Sequence, residues 1–176
     1  MIEIADFLKI GYITTDTDEV TDILDEKEFY KYINDIGDIA FEFGIKICID
    51  IHGRWFCNGK KASKIIKRIN NPNIGINYCT GNSIYWSNIR PEEDIKYAIP
   101  YLFKVHIKDS SGIFQDYNFP ALGEGTVDFS KIFNELKDFS GPYVVELELS
   151  NKRLPLSEIN HAFKKSYNYL NNINLI

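Results

Sequence analysis

The sequence predicts an α/β fold built on a parallel sheet, and three observations carry that expectation. Five short apolar runs rich in β-branched and aromatic residues recur along the 176 residues. Each gap after a run holds a segment with apolar residues at helical spacing. The two patterns alternate strictly, which implies parallel strands joined by helical crossovers.

The elements follow in order. The first strand is expected at "FLKIGYI" (7–13). The next segment, "EKEFYKYINDIGDIAFEFG", sets Phe29, Ile33, Ile36 and Ala40 on one helical stripe and ends at Gly44, a residue suited to a helix C-terminus. A second strand is expected at "IKICIDI" (45–51), then a helix in "KKASKIIKRI". The third strand is "IGINYC" (74–79), followed by a helix in "PEEDIKYAIPYL". Pro91 suits the first helical position there, and Glu92, Glu93 and Asp94 suit the positive end of the helix dipole. The fourth strand is "LFKVHI" (102–107), and Asp128 reads as the N-cap of a helix in "DFSKIFNELKDF". The fifth is "YVVELEL" (143–149), with a closing helix in "PLSEINHAFKKSYNYL".

Two architectures fit five such units. An open doubly wound sheet normally carries a glycine-rich turn after an early strand, and neither GxGxxG nor GxxxxGK[ST] occurs. A complete (β/α)8 barrel needs eight units and typically about 250 residues, so only part of one would fit. The pattern alone leaves both open. With 44% hydrophobic and 26% charged residues the composition is that of a globular chain and not a disordered one. A net charge of −5 argues against a nucleic-acid partner. No apolar run approaches the roughly 20 residues of a membrane span, and the start of the chain does not read as a signal peptide. Cys48, Cys57 and Cys79 are odd in number and lack CxxC spacing, so a reducing cytoplasm is the expected compartment.

The C-terminal ends of the runs concentrate the polar chemistry. In "CIDIHGRWF", Asp50 and His52 lie two apart and so share a strand face. Cys79 ends the third run, His106, Lys108 and Asp109 end the fourth, and Glu146 and Glu148 end the fifth. Carboxylates and imidazoles arriving from several strands are what a divalent metal requires. Each has a plainer reading: Asp50 as a strand-end cap, Cys79 as an inert buried thiol, His106 as a core histidine, Glu148 as an ion-pair partner of Lys108, His161 as a structural helix residue. Glu146 is costly to bury unpaired, which favours a chemical role.

These motifs resemble the xylose isomerase-like TIM barrels, a family of sugar phosphate isomerases and epimerases, inosose isomerases and dehydratases, and ketose 3-epimerases. The matching pieces run in order: "IDIHG", "GINYCTGNSIYW", "KVHIKDSSG", "FPALGEGTVDFSKIFNELKDFSGPYVVELE" and a last helix ending "KSYNYL". The opening "IADFLKIGYI" resembles the family's fourth strand, so the resemblance implies a single domain over residues 1–176. That domain would be a partial TIM barrel of about five units, the counterparts of strands four to eight. It implies a divalent metal (manganese, cobalt, zinc or magnesium) held by Asp50, Cys79, His106 and Glu146. Asp50 and Glu146 would also be the catalytic acid–base pair, and His52, Asn82, Lys108 and Asp109 would contact substrate. Asp50 stands where the family usually has Glu, Cys79 where it has Asp, and Gly112 lies near a position the family gives to Arg.

The activity so implied is proton transfer through an enediolate of a small sugar or cyclitol, impaired or lost through these departures. A non-catalytic remnant or binding module of the same fold is the alternative. A metal-dependent abasic-site endonuclease is weaker, because it would want a basic groove and more than three histidines. Five strands cannot close a barrel, so the expected assembly is a homo-oligomer, most simply a two-fold dimer.

Overall fold

A computed structural model describes residues 1–17, 23–149 and 153–173 of the chain. It contains a five-stranded, all-parallel sheet in the order β1-β2-β3-β4-β5, with β1 Tyr12–Thr15, β2 Lys46–Asp50, β3 Ile74–Cys79, β4 Leu102–Ile107 and β5 Tyr143–Val145. The helices are α1 Ile2–Phe7, α2 Ile23–Glu42, α3 Gly59–Ile69, α4 Thr80–Ser87, α5 Pro91–Ala98, α6 Phe129–Glu135 and α7 Leu156–Asn172. A doubly wound sheet would reverse its strand order part-way. Here the order never reverses, and the sheet curls into half of a TIM barrel.

Burial explains which face is which. Ile47, Ile49, Ile76, Tyr78, Val105 and Ile107 are buried on the helix-covered face. The intervening residues Cys48, Asp50, Asn77, Cys79, Lys104 and His106 line the other, concave face. Lys104 Nζ reaches across that face to Thr14 Oγ1. Behind β3, the fully buried Tyr78 donates its hydroxyl to Asp94 of α5 at 2.9 Å. Asp94 also accepts from the backbone N–H groups of Gly59 and Lys60, so one carboxylate caps α3 and fixes it to α5 and β3. Asn58 adds the N-cap of α3, accepting from Lys61 N at 2.9 Å.

The second, third and fourth strands lie within a residue of their expected places. The first does not: residues 2–7 are helical, and Lys9 (φ 56°) and Ile10 close that helix by donating to Asp6 O and Ala5 O. Phe7, Leu8 and Ile10 are consequently exposed, and the strand starts only after Gly11. The fifth strand is shorter than "YVVELEL". Its last ladder bond runs from Glu146 N to Ile107 O, because β4 itself stops there and Lys108 turns to Thr80. The helix in "PEEDIKYAIPYL" gives way at Ile99 to a 3-10 turn that contains Pro100. Of the α2 stripe, Ile33 and Ala40 are buried, whereas Ile36 opens onto a groove beside β1. Residue Gly44 (φ 68°) ends that segment as expected.

Candidate active site

The concave face converges at the C-terminal ends of β2, β3, β4 and β5. Parallel register puts Cys79 directly beside His106, Asp50 beside Asn77, and His106 beside Val144, two residues before Glu146. Alternation then aims Asp50, Cys79, His106 and Glu146 at one point. His106 Nδ1 lies 3.0 Å from Glu146 Oε2 and 3.7 Å from Asp50 Oδ1. Cys79 Sγ lies 3.4 Å from the same Glu146 oxygen. One donor atom each from Asp50, Cys79 and His106 falls within 4.8 Å of the others.

The two carboxylates of this cluster are held in opposite states. Burial, and then the neighbouring charge of Glu146, push Asp50 up to about 8, despite an amide hydrogen bond from Asn77. Burial also disfavours an ionised Glu146, but His106 and Lys108 outweigh it and bring this group down to about 2. Burial, Glu146 and Asp50 all keep the Cys79 thiol protonated. Burial opposes the charge on Lys108, yet its ion pairs with Glu146 and Glu148 more than reverse this and hold its pKa above the ordinary value.

Lys108 organises the rest. Its ammonium, almost wholly buried, donates to Glu146 Oε1 at 3.0 Å, to Asn82 Oδ1 at 3.1 Å and to Glu148 Oε2, and sits 4.0 Å from the centre of the Phe119 ring. Its backbone is clamped by Thr80, whose hydroxyl accepts from Lys108 N and donates to Lys108 O. Asn82 bridges the cluster, since its amide also reaches Asp50 Oδ2 at 3.4 Å. The hydroxyl of Tyr117 donates to Glu148. Further out, His52 meets the edge of Trp86 with ring centres 5.0 Å apart, and Trp86, Tyr85, Tyr117 and Phe119 continue an aromatic lip.

Asp109 lies elsewhere. Its carboxylate, 1% exposed, accepts from the backbone N–H groups of Ser110, Gly123, Gly125 and Val127 at 2.8–3.2 Å. The "GEG" loop is wrapped around it so closely that a Cβ at Gly125 would run into the carboxylate. Gly123 has φ 85° and its missing Cβ leaves room for Tyr169 of α7. The structure brings Asp50, Cys79, His106, Glu146, Lys108 and Asn82 together, sets His52 at the rim, and encloses Asp109, expected to contact substrate, within a loop. The sequence reading missed Asn77, Thr80, Phe119 and Tyr117. Asn77 was legible by alternation, two residues before Cys79; the short helix α4 that carries Asn82 was not foreseen.

The donor set fits a divalent ion. His106 Nδ1 is buried, and among the described residues no group stands in hydrogen-bonding geometry to it, the nearby Glu146 oxygen being off line. An imidazole nitrogen left so is costly, and two carboxylates and a sulfur surround it. The model of the xylose isomerase-like TIM barrel family matches residues 1–173. The L-ribulose-5-phosphate 3-epimerase of Salmonella typhi is 27% identical over 150 residues, covering 76% of this chain and 51% of that protein. The chain thus spans about half the length of the curated relatives it matches. Among solved structures, the IOLI protein with a bound zinc atom superposes with a TM-score of 0.75 at 20% identity, covering 98% of this chain and 66% of that one. A xylose isomerase-like TIM barrel protein from Mycobacterium smegmatis in complex with magnesium gives 0.78 at 18% identity, covering 99% and 64%. Among the described residues no helix is long and apolar enough to cross a membrane. With matching motifs, sheet order and strand-end cluster, this chain belongs to the xylose isomerase-like TIM barrel family.

Proposed function

We propose that the chain carries the proton-transfer half of a metal-dependent sugar or sugar-phosphate isomerase or epimerase, working through an enediolate at a rate well below that of a complete barrel. The observation that supports this best is geometric: Asp50 and Glu146, from two different strands, approach His106 Nδ1 to 3.7 and 3.0 Å, with Cys79 beside them. Two carboxylates converging on one centre can supply an acid and a base.

A divalent ion held by Asp50, Cys79, His106 and Glu146 would polarise a substrate carbonyl and acidify the adjacent C–H. Glu146 is the group able to accept that proton, and Lys108 keeps it ionised and oriented. Asp50 is the group able to give one back, positioned by the amides of Asn77 and Asn82. The aromatic lip from His52 to Phe119 offers apolar ring faces that suit a sugar and exclude water. Asp50 is one methylene shorter than the family's Glu, and a misplacement near 1 Å costs about 100-fold, which supports a slow reaction. A non-catalytic role is the second reading, favoured by the ties of Lys108 to both Glu146 and Glu148 and by the chain's span of half its relatives' length.

Deuterium incorporation separates the two. The full chain, loaded with Zn²⁺, Co²⁺ or Mn²⁺ and incubated in D2O with a panel of ketoses, ketose phosphates and inososes, should label the carbon next to the carbonyl of at least one of them. Glu146→Gln should abolish the label. Absence of label with the ion bound would leave the non-catalytic reading standing.

A further inference from the structure

We propose that Cys79 binds the metal as a thiolate and that this sulfur turns the centre toward zinc and away from magnesium and manganese. The proposal deepens the reading above and rests on it only for the presence of an ion. Its placement comes first. Cys79 and His106 are direct register partners on adjacent strands, and parallel strands lie about 4.8 Å apart, so their side chains leave the sheet together. Asp50 enters from the next strand, and one donor atom from each of the three comes within 4.8 Å of the others.

The second observation is unmet polarity at the same point. Among the described residues, His106 Nδ1 is buried with no aligned hydrogen-bond partner, Glu146 Oε2 lying 3.0 Å away but off line, and the wholly buried Asn77, which orients Asp50, leaves its own Oδ1 unpartnered. Polar atoms left so inside a folded protein are unfavourable. A cation among Asp50, Cys79 and His106 satisfies the imidazole nitrogen directly. Among the described residues the side-chain partner of the Cys79 sulfur is Glu146 Oε2 at 3.4 Å, itself the natural fourth donor. The other two thiols serve as contrasts. Cys57 Sγ accepts from Asn58 Nδ2 at 3.4 Å, before α3. Cys48 lies one pleat below Asp50, and among the described residues neither belongs to a comparable donor group.

The third step is the chemistry of the set. Sulfur, imidazole nitrogen and carboxylate oxygens in a compact group are the donors of a four-coordinate zinc site. Magnesium demands near-octahedral oxygen ligation and keeps several waters, which a buried sulfur denies it. Since related folds hold zinc in one case and magnesium in another, the fold does not choose the ion; the side chain at 79 does. Loading is a simple exchange: the Cys79 S–H bond breaks, a sulfur–metal bond forms, and the proton passes to solvent.

Metal spectroscopy on the full chain tests this without reference to turnover. With Co²⁺ as probe, the protein should show a sulfur-to-cobalt charge-transfer band in the near ultraviolet. That band should vanish in Cys79→Ser and persist in Cys48→Ser. Zinc should displace cobalt, whereas magnesium at millimolar concentration should not, and Cys79→Asp should lower the preference for zinc over manganese by roughly 10–100-fold or more, the size of effects one shell further out. X-ray absorption of the zinc-loaded unmutated protein gives an independent reading if the Ser variant misfolds, with one sulfur expected at about 2.3 Å. Cobalt uptake without the band, or a zinc shell of nitrogen and oxygen only, would overturn the thiolate while leaving the metal-dependent reading intact. No uptake of any ion would overturn both.

Discussion

Replacing Asp109 by Asn should loosen the loop that folds around its carboxylate. The carboxylate accepts from Ser110 N and Val127 N through one oxygen, at 2.8 and 3.2 Å, and from Gly123 N and Gly125 N through the other, at 2.9 and 3.0 Å. Asn keeps the shape but supplies a single acceptor, so one pair of N–H groups meets an NH2 instead. Hydrogen bonds to a charged group contribute about 1.5–3 kcal/mol each, and the stranded donors keep their desolvation cost. We expect a loss of about 3–5 kcal/mol, the range for breaking one side of a buried charged contact. For a chain of this size that is roughly 6–20 °C in Tm, readable by calorimetry or circular dichroism. The exposed Asp138→Asn should move Tm by less than roughly 2 °C, as surface changes stay within about 0.5 kcal/mol. If Asp109→Asn keeps its Tm and loses only sugar binding, the loop argument is wrong, and Asp109 contacts substrate as its place in the motif implies.

Lys108→Met removes the buried ammonium from between Glu146 and Glu148, and should cost about 3–5 kcal/mol and raise the Glu146 carboxyl from about 2, seen by carboxyl-carbon NMR titration. An unshifted Glu146 would show that Lys108 does not hold its charge. In metal-free protein, Asp50 goes from an ordinary 3.8 unfolded to about 8 folded, so its protonated form favours folding and that stability drains away as pH rises from about 4 to 8. Glu146 acts in the opposite sense, contributing above its unfolded value of 4.5 and losing that contribution as pH falls toward 2. Urea midpoints should therefore peak between about pH 4 and 5 and decline toward 8, with saturating Zn²⁺ reversing the decline; a flat profile from 5 to 8 would place Asp50 in its ordinary ionised state. The expectation of a homo-oligomer predicts a mass that rises with concentration in the micromolar range by light scattering, and a cooperative monomer throughout would contradict it.

Much of the site was legible because strand alternation and parallel register turn sequence spacing into geometry. Asp50, Cys79, His106 and Glu146 each end an apolar run, and once the runs lie side by side in order their side chains must meet. The pairing of Glu148 with Lys108 was legible from charge alone. What escaped was set by backbone hydrogen bonding. Asp109 has the composition of a site residue, and only the four amides folded around it reveal a loop anchor. The run "FLKIGYI" has strand composition, yet the closure of α1 at Lys9 and Ile10 spends its first half on a helix end. Thr80–Ser87 holds Gly, Asn and Ser, weak helix formers, yet it is helical, and Thr80 at its start bonds back to Lys108.

The half-barrel's two faces make different demands on a partner. A closed barrel hides its interior, so an open one should suffer most where that interior is apolar. Here the concave face carries Thr14, Lys46, Asp50, Asn77, Lys104, His106 and Glu146, groups that water or an ion can serve, alongside Cys48, Cys79 and Val144. The apolar demand lies instead on the outer side of β1, where Ile13, Phe29, Ile33, Ile36 and Ile47 border a groove of about 600 Å³ and Tyr32, Ile36 and Ile39 are exposed. Among the described residues β1 is an edge strand, paired only with β2. If the chain associates, burial of that groove is the stronger drive and the mouth can stay open. Tyr32→Lys and Ile36→Lys together should then weaken association while leaving metal uptake unchanged. Loss of metal with the loss of association would mean that the partner, and not the chain alone, completes the centre.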